Sequence, residues 1–230
     1  MSVAPERLEQ WLSGFAERSG GAATQLSGTE VVLTGADGAV AVLPVPFPPL
    51  LTSPVPGPLP TDPLPPGPPE LPSVVELRPL VGHCLRYRRV GVLLVRLGGH
   101  AAGIFDGPRL LDSKVGTRPV HGRSAAGGQS QKRFARRREG QARVALAASA
   151  DTAARILVPA AAQLDAVVLG GDRSALSTVL ADERLAVLRP LVSGDVLDVP
   201  DPRLRVLTAT PAMFRAVPIL LREPPVPGAG

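Results

Sequence analysis

The sequence predicts an α/β domain built on a mixed β-sheet with flanking helices, preceded by a small N-terminal segment of one helix and one hairpin. Residues 90–115 contain three short apolar stretches separated by tight turns, which is the pattern of an antiparallel meander. A long helical stretch begins near residue 130, and a strand, a helix and another strand follow from residue 164. This order of elements indicates a mixed sheet covered by helices.

The N-terminal segment, residues 1–43, has the pattern of a short helix followed by a hairpin. The helix is predicted over residues 5–18 from four apolar side chains at i, i+3, i+4 and i+7: Leu8, Trp11, Leu12 and Phe15. Two β-rich stretches, 30–34 and 39–43, flank a turn that contains two glycines. We expect these small elements to pack together or onto the main domain.

Proline punctuates the sequence after the hairpin. From Pro44 to Pro72 nearly every second residue is proline, and proline lacks an N–H and fixes φ, so helix and central strand are excluded. We expect an extended spacer over 44–72, in preference to a ligand for a proline-recognition module. The main domain then spans 73–222, and the Pro- and Gly-rich tail 223–230 is expected to be frayed.

Within the main domain the strands are predicted at 90–97, 101–105 and 109–115, and the second and third are joined by a turn at Asp106-Gly107. A loop, 116–128, leads into a basic helix over 130–148. A second helix is predicted over 151–163, with Asp151 as its N-cap and Pro159 limiting its regularity.

The last third of the domain alternates between strand and helix. A buried strand is predicted at 164–169 and a helix at 173–181, joined by Gly170-Gly171-Asp172. That turn could bind phosphate, but it lacks the spacing of a nucleotide-binding motif, and an Asp-capped turn is the simpler interpretation. A short element over 184–192 is expected to end in a strand, and 203–208 is either a last strand or part of a helix.

Charge is unevenly distributed along the chain. The net charge is +5, from 25 basic and 20 acidic residues. Residues 114–143 contain nine basic side chains and one acid, Glu139, and therefore carry +8, whereas the rest of the chain carries −3. A mildly acidic body with one strongly basic segment indicates a polyanionic partner, with nucleic acid the first choice.

Composition also excludes several classes of protein. Aromatic residues make up only 3%, which argues against a protein that stacks successive bases on aromatic rings. Cys84 is the single cysteine and is expected to be a small core residue, and the three histidines lack metal-ligand spacing, so no metal or other cofactor is expected. A signal peptide and a long apolar run are both missing, so we expect a cytoplasmic protein with no membrane contact.

The segment that carries the chemistry is a loop of small residues running into an arginine-rich helix. Gly127-Gly128 permits positive φ and close backbone approach to a ligand. Gln129 and Gln131 lie at the junction of loop and helix, where backbone N–H groups lack helical partners and favour anions. The cations that follow could hold phosphates: Lys132, Arg133, Arg136, Arg137 and Arg138.

These motifs resemble the catalytic middle domain of eukaryotic and archaeal class I peptide-chain release factors. The shared residues are His121-Gly122-Arg123, Gly127-Gly128-Gln129-Ser130, Arg133-Phe134-Ala135-Arg136 and Arg138. Ser124-Ala125-Ala126 interrupts the match, which covers about residues 85–215. Since the chain is too short for the release factors' codon-reading and factor-binding domains, it looks closest to the actinobacterial branch of the Vms-like relatives, which free peptides from stalled tRNA.

The resemblance implies a fold with RNase H-like topology and a set of functional residues. Gly127, Gly128 and Gln129 would be catalytic, while Gln131 competes with Gln129 because Gly128-Gln129-Ser130-Gln131 also fits the Vms-like Gly-x-x-Gln pattern. RNA contacts would come from His121, Arg123, Lys132, Arg133, Arg136, Arg137 and Arg138. The partners would be the peptidyl-transferase centre of the large ribosomal subunit, its rRNA, and peptidyl-tRNA, bound by a monomer.

Three functions fit these residues. The first is a codon-independent peptidyl-tRNA hydrolase that rescues stalled ribosomes, as part of ribosome quality control. The second is an endonuclease that cuts the acceptor end of tRNA, and the third is a ribosome- or RNA-binding module without catalysis. Each motif also has an interpretation without function. Gly127-Gly128 would then be a flexible surface loop, and the arginines would form a solvated helix face. Almost no acids are available there for i,i+4 pairing, which favours contact with RNA.

Overall fold

The computed structural model describes residues 1–51, 77–97, 99–117 and 130–223, with the backbone alone over 130–138. In chain order the helices and strands are β1 (Ser2–Val3), α1 (Leu8–Arg18), β2 (Ala22–Leu26), β3 (Glu30–Gly35), β4 (Val40–Pro44), α2 (Arg78–Leu85), β5 (Arg89–Arg96), β6 (Gly99–Asp106), β7 (Arg109–Thr117), α3 (Ser130–Leu157), β8 (Ala166–Gly171), α4 (Arg173–Leu180), α5 (Leu204–Phe214), β9 (Val217–Pro218) and β10 (Leu220–Arg222). Short 3₁₀ helices lie at Pro5–Arg7, Val158–Gln163 and Glu183–Leu191.

The chain divides into two compact units, one of which is discontinuous in sequence. The first unit comprises Met1–Arg86 and Arg215–Gly230, and the second comprises Tyr87–Phe214. The first unit is therefore built from residues on both sides of the second. These boundaries differ from the division at residues 43, 72 and 222 expected from the sequence.

The first unit is a four-stranded antiparallel sheet with helices packed on it. The strand order is β10-β4-β3-β2, and β1 pairs separately with β9. The expected N-terminal helix and the hairpin β3–β4 are both present. Its buried core includes Leu8, Leu12 and Phe15 of α1, Leu33 of β3 and Leu43 of β4.

Two parts of this unit could not be anticipated from local patterns. Helix α2 contributes Leu80 and Cys84 to the same core, where Cys84 is the small buried residue that the sequence predicted. Val217 and Ile219, from the region of β9 and β10, also belong to it, next to the pairing of these strands with β1 and β4. Because these residues bury apolar surface in the first unit, residues on both sides of 87–214 are needed to complete its core.

The second unit contains the mixed sheet predicted from the sequence. Its strand order is β7-β6-β5-β8, with β5–β6 and β6–β7 antiparallel and β5–β8 parallel. Isolated parallel bridges, Val167 with Val192 and Gly170 with Leu197, extend the sheet beyond β8. The order, with only the second strand reversed, is that of the RNase H-like topology, and the expected α/β class is confirmed.

Helices cover both faces of this sheet. On one face, α3, α4 and the 3₁₀ helix Glu183–Leu191 share a buried cluster with β5, β6 and β8. On the other face α5 packs against β6, where Phe105 and Phe214 meet edge to face with ring centroids 6.1 Å apart. Every residue of β6 except Asp106 is buried, so the strand is enclosed by helices on both sides.

Helix α3 corrects the prediction of two separate helices. A single α-helix of 28 residues runs from Ser130 to Leu157, where helices over 130–148 and 151–163 were expected. Residues 149–151, Ser-Ala-Asp, contain neither glycine nor proline, so nothing in the sequence interrupts the backbone hydrogen bonds. Asp151 is consequently not an N-cap, and the α-helix gives way to a 3₁₀ helix only at Val158, next to Pro159.

The last third of the unit also differs from expectation in part. The element predicted over 184–192 is a 3₁₀ helix, Glu183–Leu191, and its expected strand is reduced to the single bridge at Val192. Proline at 190 has no N–H to donate to a sheet, which limits pairing there. Residues 203–208 fall largely in helix α5, the second of the two possibilities.

Candidate functional site

The segment bearing the Gly-Gly-Gln motif begins at the end of β7. Strand β7 pairs with β6 from Arg109 to Thr117, so that Thr117 lies opposite Gly99 and Gly116 opposite His100. Gly99 in turn lies opposite Arg96, the last residue of β5. The described part of β7 therefore ends level with the C-terminal end of β5. The next described residue is Ser130, the first residue of α3.

The proposed catalytic and binding residues divide into two groups. His121, Arg123, Gly127, Gly128 and Gln129 lie outside the described residues. The remaining six lie in the first three turns of α3, whose backbone is helical: Gln131, Lys132, Arg133, Arg136, Arg137 and Arg138. The helix begins at Ser130, directly after Gln129, as the sequence predicted.

Helix α3 is long enough for its two halves to have different surroundings. At about 1.5 Å per residue its 28 residues span about 42 Å. Among the residues whose side chains are described, burial starts at Ala145 and recurs on one face toward the C-terminus: Ala145, Ser149, Ala150, Thr152, Ala153, Ile156 and Leu157. The C-terminal half is thus the anchor that fixes the direction of the cationic N-terminal half.

An ion-pair cluster ties this anchor to the rest of the unit. Arg184 donates to Asp151 of α3 (2.8 Å) and, through two nitrogens, to Asp182 (2.7 and 3.0 Å). The hydrogen bonds from Arg184 lower the pKa of Asp182 to about 2. Asp151, predicted as a helix cap, therefore serves as a tether between α3 and the 3₁₀ helix Glu183–Leu191.

The turn Gly170-Gly171-Asp172 has the geometry of a capped helix start. Gly171 has φ of 104°, and the carboxylate of Asp172 accepts from the backbone N–H groups of Ser174 and Ala175 and from the Ser174 hydroxyl. The hydrogen bond from the Ser174 side chain, followed by that from the Ala175 N–H, lowers the pKa of Asp172. The simpler interpretation of this turn, an Asp cap on α4, is confirmed.

Two other properties of the described residues bear on function. Within the described ranges, no group of three or more His, Cys, Asp or Glu residues could hold a metal ion. One stretch, Glu139–Gln163, is long and apolar enough to cross a membrane by length and composition, with 44% of its window buried. Several of its apolar side chains belong to the core that α3 shares with the sheet, among them Ala150, Ala153, Ile156 and Leu157.

One polar pair near the base of the segment was not identified from the sequence. His100 is 5% exposed and Thr152 is 8% exposed, and a hydrogen bond of 2.9 Å joins His100 Nε2 to Thr152 Oγ1. The available signal was a histidine at the start of a strand that is otherwise apolar, but its partner on α3 is 52 residues away. No local pattern could connect the two.

The architecture is that of a mixed-sheet domain carrying a cationic helix directly behind a Gly-Gly-Gln sequence, which is the class of release-factor-like domains. Residues 88–220 match the model of the Actinobacteria/chloroflexi VLRF1 release factor family. The match covers more than half of the chain, so the chain belongs to this family. The description of this family is that of a release factor.

A comparison with solved structures also finds a release factor. The crystal structure of the archaeal translation termination factor aRF1 is similar to 55% of this chain, with 18% sequence identity and a TM-score of 0.40. The similar region makes up 36% of the archaeal chain. Among curated proteins, no match was found.

Proposed function

We propose that this protein is a peptidyl-tRNA hydrolase that releases nascent peptides from stalled ribosomal complexes without reading a codon. The observation that carries the proposal is the position of Gly127-Gly128-Gln129 directly before α3, in a chain that belongs to a release-factor family. Helix α3 is held by its C-terminal half in a packed domain. A helix fixed at one end can deliver the residues at its other end into a confined site.

In the proposed reaction, water attacks the carbonyl carbon of the ester that joins the peptide to the terminal ribose of tRNA. The carbon–oxygen bond to the ribose breaks, the ribose oxygen takes up a proton, and the products are a peptide acid and an intact tRNA. The backbone N–H of Gln129 donates to the oxygen that becomes negative in the tetrahedral transition state. A preorganised donor stabilises that charge because it does not need to reorient during the reaction.

The Gln side chain positions the attacking water, and RNA supplies the general base, for which the terminal ribose hydroxyl of tRNA is a candidate. This division of labour matches the chemistry of the segment, whose tip is small and uncharged. The Gly-Gly pair permits the backbone conformations and close approach that such a turn needs.

Binding is assigned to the cationic residues around the tip. Lys132 and the arginines at 133, 136, 137 and 138 occupy the N-terminal turns of α3, and His121 and Arg123 precede the tip. Arginine pairs well with phosphate because its guanidinium donates two parallel hydrogen bonds. We propose that these residues hold the tip against rRNA and peptidyl-tRNA in the peptidyl-transferase centre, and that the protein acts as a cytoplasmic monomer.

Release of labelled peptide from stalled ribosome–nascent-chain complexes tests the proposal, with the 3′ end of the tRNA mapped afterwards. We expect Gln129→Ala to lower the release rate by about 100-fold, because the substitution keeps the backbone N–H but removes the side chain that positions the attacking water, and misplacing a reacting group can cost about 100-fold in rate. Binding to the complex should be largely kept. If Gln131→Ala lowers the release rate more than Gln129→Ala does, Gln131 is the key glutamine.

The matched control is Gln141→Ala, which makes the same change farther along α3, where the side chain is half-buried; it should release at the parent rate. If the recovered tRNA is shortened at its acceptor end, the protein cuts the tRNA as an endonuclease and does not hydrolyse the peptidyl ester. Tight binding without release by the parent protein would contradict both catalytic functions and leave a binding module.

A further inference from the structure

The only tyrosine of the chain lies on a turn of the second unit's sheet. Tyr87 is 63% exposed, and a Cβ placed on Gly107 would lie 2.9 Å from its Cγ and Cδ1 and 3.2 Å from its Cδ2. Because three adjacent ring atoms are at nearly the same distance from that point, one face of the ring lies against Gly107. The exposed surface is therefore on the other side of the ring.

The turn under the ring has a fixed backbone. Gly107 has φ of 55°, a conformation that residues with side chains rarely adopt, and its N–H donates to the carbonyl of Arg88 at 3.1 Å. Asp106 and Arg109, on either side of the turn, are paired between β6 and β7. The turn thus holds the ring from one side, which lowers the entropy that a ligand stacking on it would have to remove.

Positive charges outnumber negative charges around Tyr87. The segment Arg86-Tyr87-Arg88-Arg89 contains three arginines and no acid. Arg89 lies opposite Asp106, which lies opposite Arg109, and residues opposite one another in antiparallel strands are on the same face of a sheet. Asp165 adds a second acid, whose carboxylate accepts from the Arg89 backbone N–H at 2.7 Å. Four arginines against two acids favour an anionic ligand.

This cluster lies at the opposite end of the sheet from the place where the described part of β7 ends. Arg89 is the first residue of β5 and Arg109 the first of β7, whereas Thr117 is the last residue of β7. Successive residues of a strand are about 3.3 Å apart, so Arg109 and Thr117 are separated by about 26 Å. A ligand at Tyr87 is therefore held by residues other than those assigned to the proposed reaction.

We infer that Tyr87 is a stacking platform for one unpaired nucleotide of RNA, with Arg109 bound to its phosphate. Every nucleobase has an apolar face that gains free energy by stacking on an aromatic ring, and a guanidinium group donates two parallel hydrogen bonds to phosphate. Asp106 supplies an acceptor for an amino group of the base or for a ribose hydroxyl. A single ring accommodates a single base, which agrees with the low aromatic content of the chain.

The first test measures binding of the full chain to a short fluorescent single-stranded RNA and to a duplex of the same sequence. We expect Tyr87→Ala to weaken binding of the single strand by at least about fivefold, the lower end of the range for one stacked base. Binding of the duplex should not change, because its bases are already stacked. Tyr87→Phe keeps the ring and should bind like the parent.

The matched control is Leu204→Ala, which shortens a side chain that is 53% exposed in α5 of the same unit. It should bind both RNAs like the parent. Arg109→Gln separates the phosphate contact from stacking: it should reduce the slope of log affinity against log salt by about 0.7 for the single strand. Tyr87→Ala should leave that slope unchanged, because it removes no charge.

A second readout needs no substitution that could disturb folding. Because the chain has one tyrosine, incorporation of 3-fluorotyrosine places a single fluorine label at residue 87. We expect its NMR resonance to shift during titration with the single strand and to stay in place with the duplex. A resonance that the single strand leaves in place would overturn the inference, as would equal affinities of Tyr87→Ala and Leu204→Ala for it. A shift caused by a proline-rich peptide and not by RNA would also overturn it, and would assign the ring to a protein partner.

Chemical probing of unpaired bases in the stalled ribosomal complex identifies the source of the nucleotide. A base that the parent protects and that regains its reactivity with Tyr87→Ala lies either in rRNA or in peptidyl-tRNA. If neither RNA contains such a base, the inference is wrong. Peptide release is measured separately, so a parent protein that binds RNA through Tyr87 and releases no peptide would refute the proposed hydrolase alone.

Discussion

The two halves of α3 have the same backbone conformation and opposite relations to the rest of the protein. The N-terminal turns, residues 130–138, carry five basic side chains and no acid. The C-terminal half buries alanine, isoleucine and leucine on the sheet. Gly140 lies near the border, and a Cβ there would meet nothing within 4 Å. One continuous helix therefore joins a surface suited to a polyanion to a part that belongs to a hydrophobic core.

The comparison teaches that helical periodicity alone does not reveal what a helix is for. The charge distribution along α3 distinguishes the half that is suited to contact a partner from the half that attaches the helix to the domain. A substitution in one half should therefore leave the role of the other half unchanged. Changes in the anchored half are expected to alter the free energy of unfolding. Changes in the cationic half are expected to alter binding and its dependence on salt.

The largest effect is expected from Leu157→Ala in the anchored half. Leu157 is fully buried, and its Cδ2 lies 3.2 Å from the position of a Cβ on Gly91. Truncation leaves a cavity over the sheet and should lower the free energy of unfolding by about 2–5 kcal/mol. Denaturant unfolding measures it, with Val144→Ala, 50% exposed on the same helix, as the control. A reduction in Leu157→Ala no greater than in the control would contradict the anchoring role.

A binding effect is expected from the double variant Arg136→Gln/Arg137→Gln. Removing one arginine that holds a phosphate should reduce the slope of log affinity against log salt by about one, hence by about two in this variant. Ribosome binding at several salt concentrations measures the slope. The matched variant Arg143→Gln/Arg155→Gln removes two exposed arginines farther along α3, and an equal slope in both would show that position along the helix does not matter.

A smaller effect concerns the tether at Asp151, Arg184 and Asp182. The pKa of Asp182 is about 2 in the folded protein, below the value of about 3.9 for an unfolded chain. Its contribution to stability is present above about pH 4 and is lost as the pH falls toward 2. We expect Asp182→Asn to flatten the pH dependence of Tm in that window. If the curves of Tm against pH for parent and variant have equal slopes between about pH 4 and 2, Asp182 does not contribute to the pH dependence of stability.

Much of the second unit could be predicted because its signals are local. The three strands β5, β6 and β7, the turn at Asp106-Gly107 and the Asp172 cap each depend on a short run of residues. The continuity of α3 was missed because Asp151 is a good helix cap in isolation, and its actual partner, Arg184, is 33 residues away. Long-range partners decide such positions, and one sequence does not display them.

The first unit was predicted less completely for the same physical reason. Its helix and hairpin follow from local periodicity, but α2 has only eight residues, with a proline near its start and a glycine inside it. Strand β10 has three residues, and it is a strand because β4 offers it a pairing edge. At the candidate site, the motif and the cationic turns were visible in the sequence, whereas the pair of His100 and Thr152 required the fold.

The discontinuity of the first unit has a consequence for the order in which the protein folds during its own synthesis. Its N-terminal amine donates to the carbonyl of Ile219, 218 residues further along, and β4 pairs with β10. Residues 87–214 are translated before either interaction can form, and closing so long a loop is slow. The second unit can therefore complete its core first, while the first unit waits, partly assembled, for the last strands to emerge.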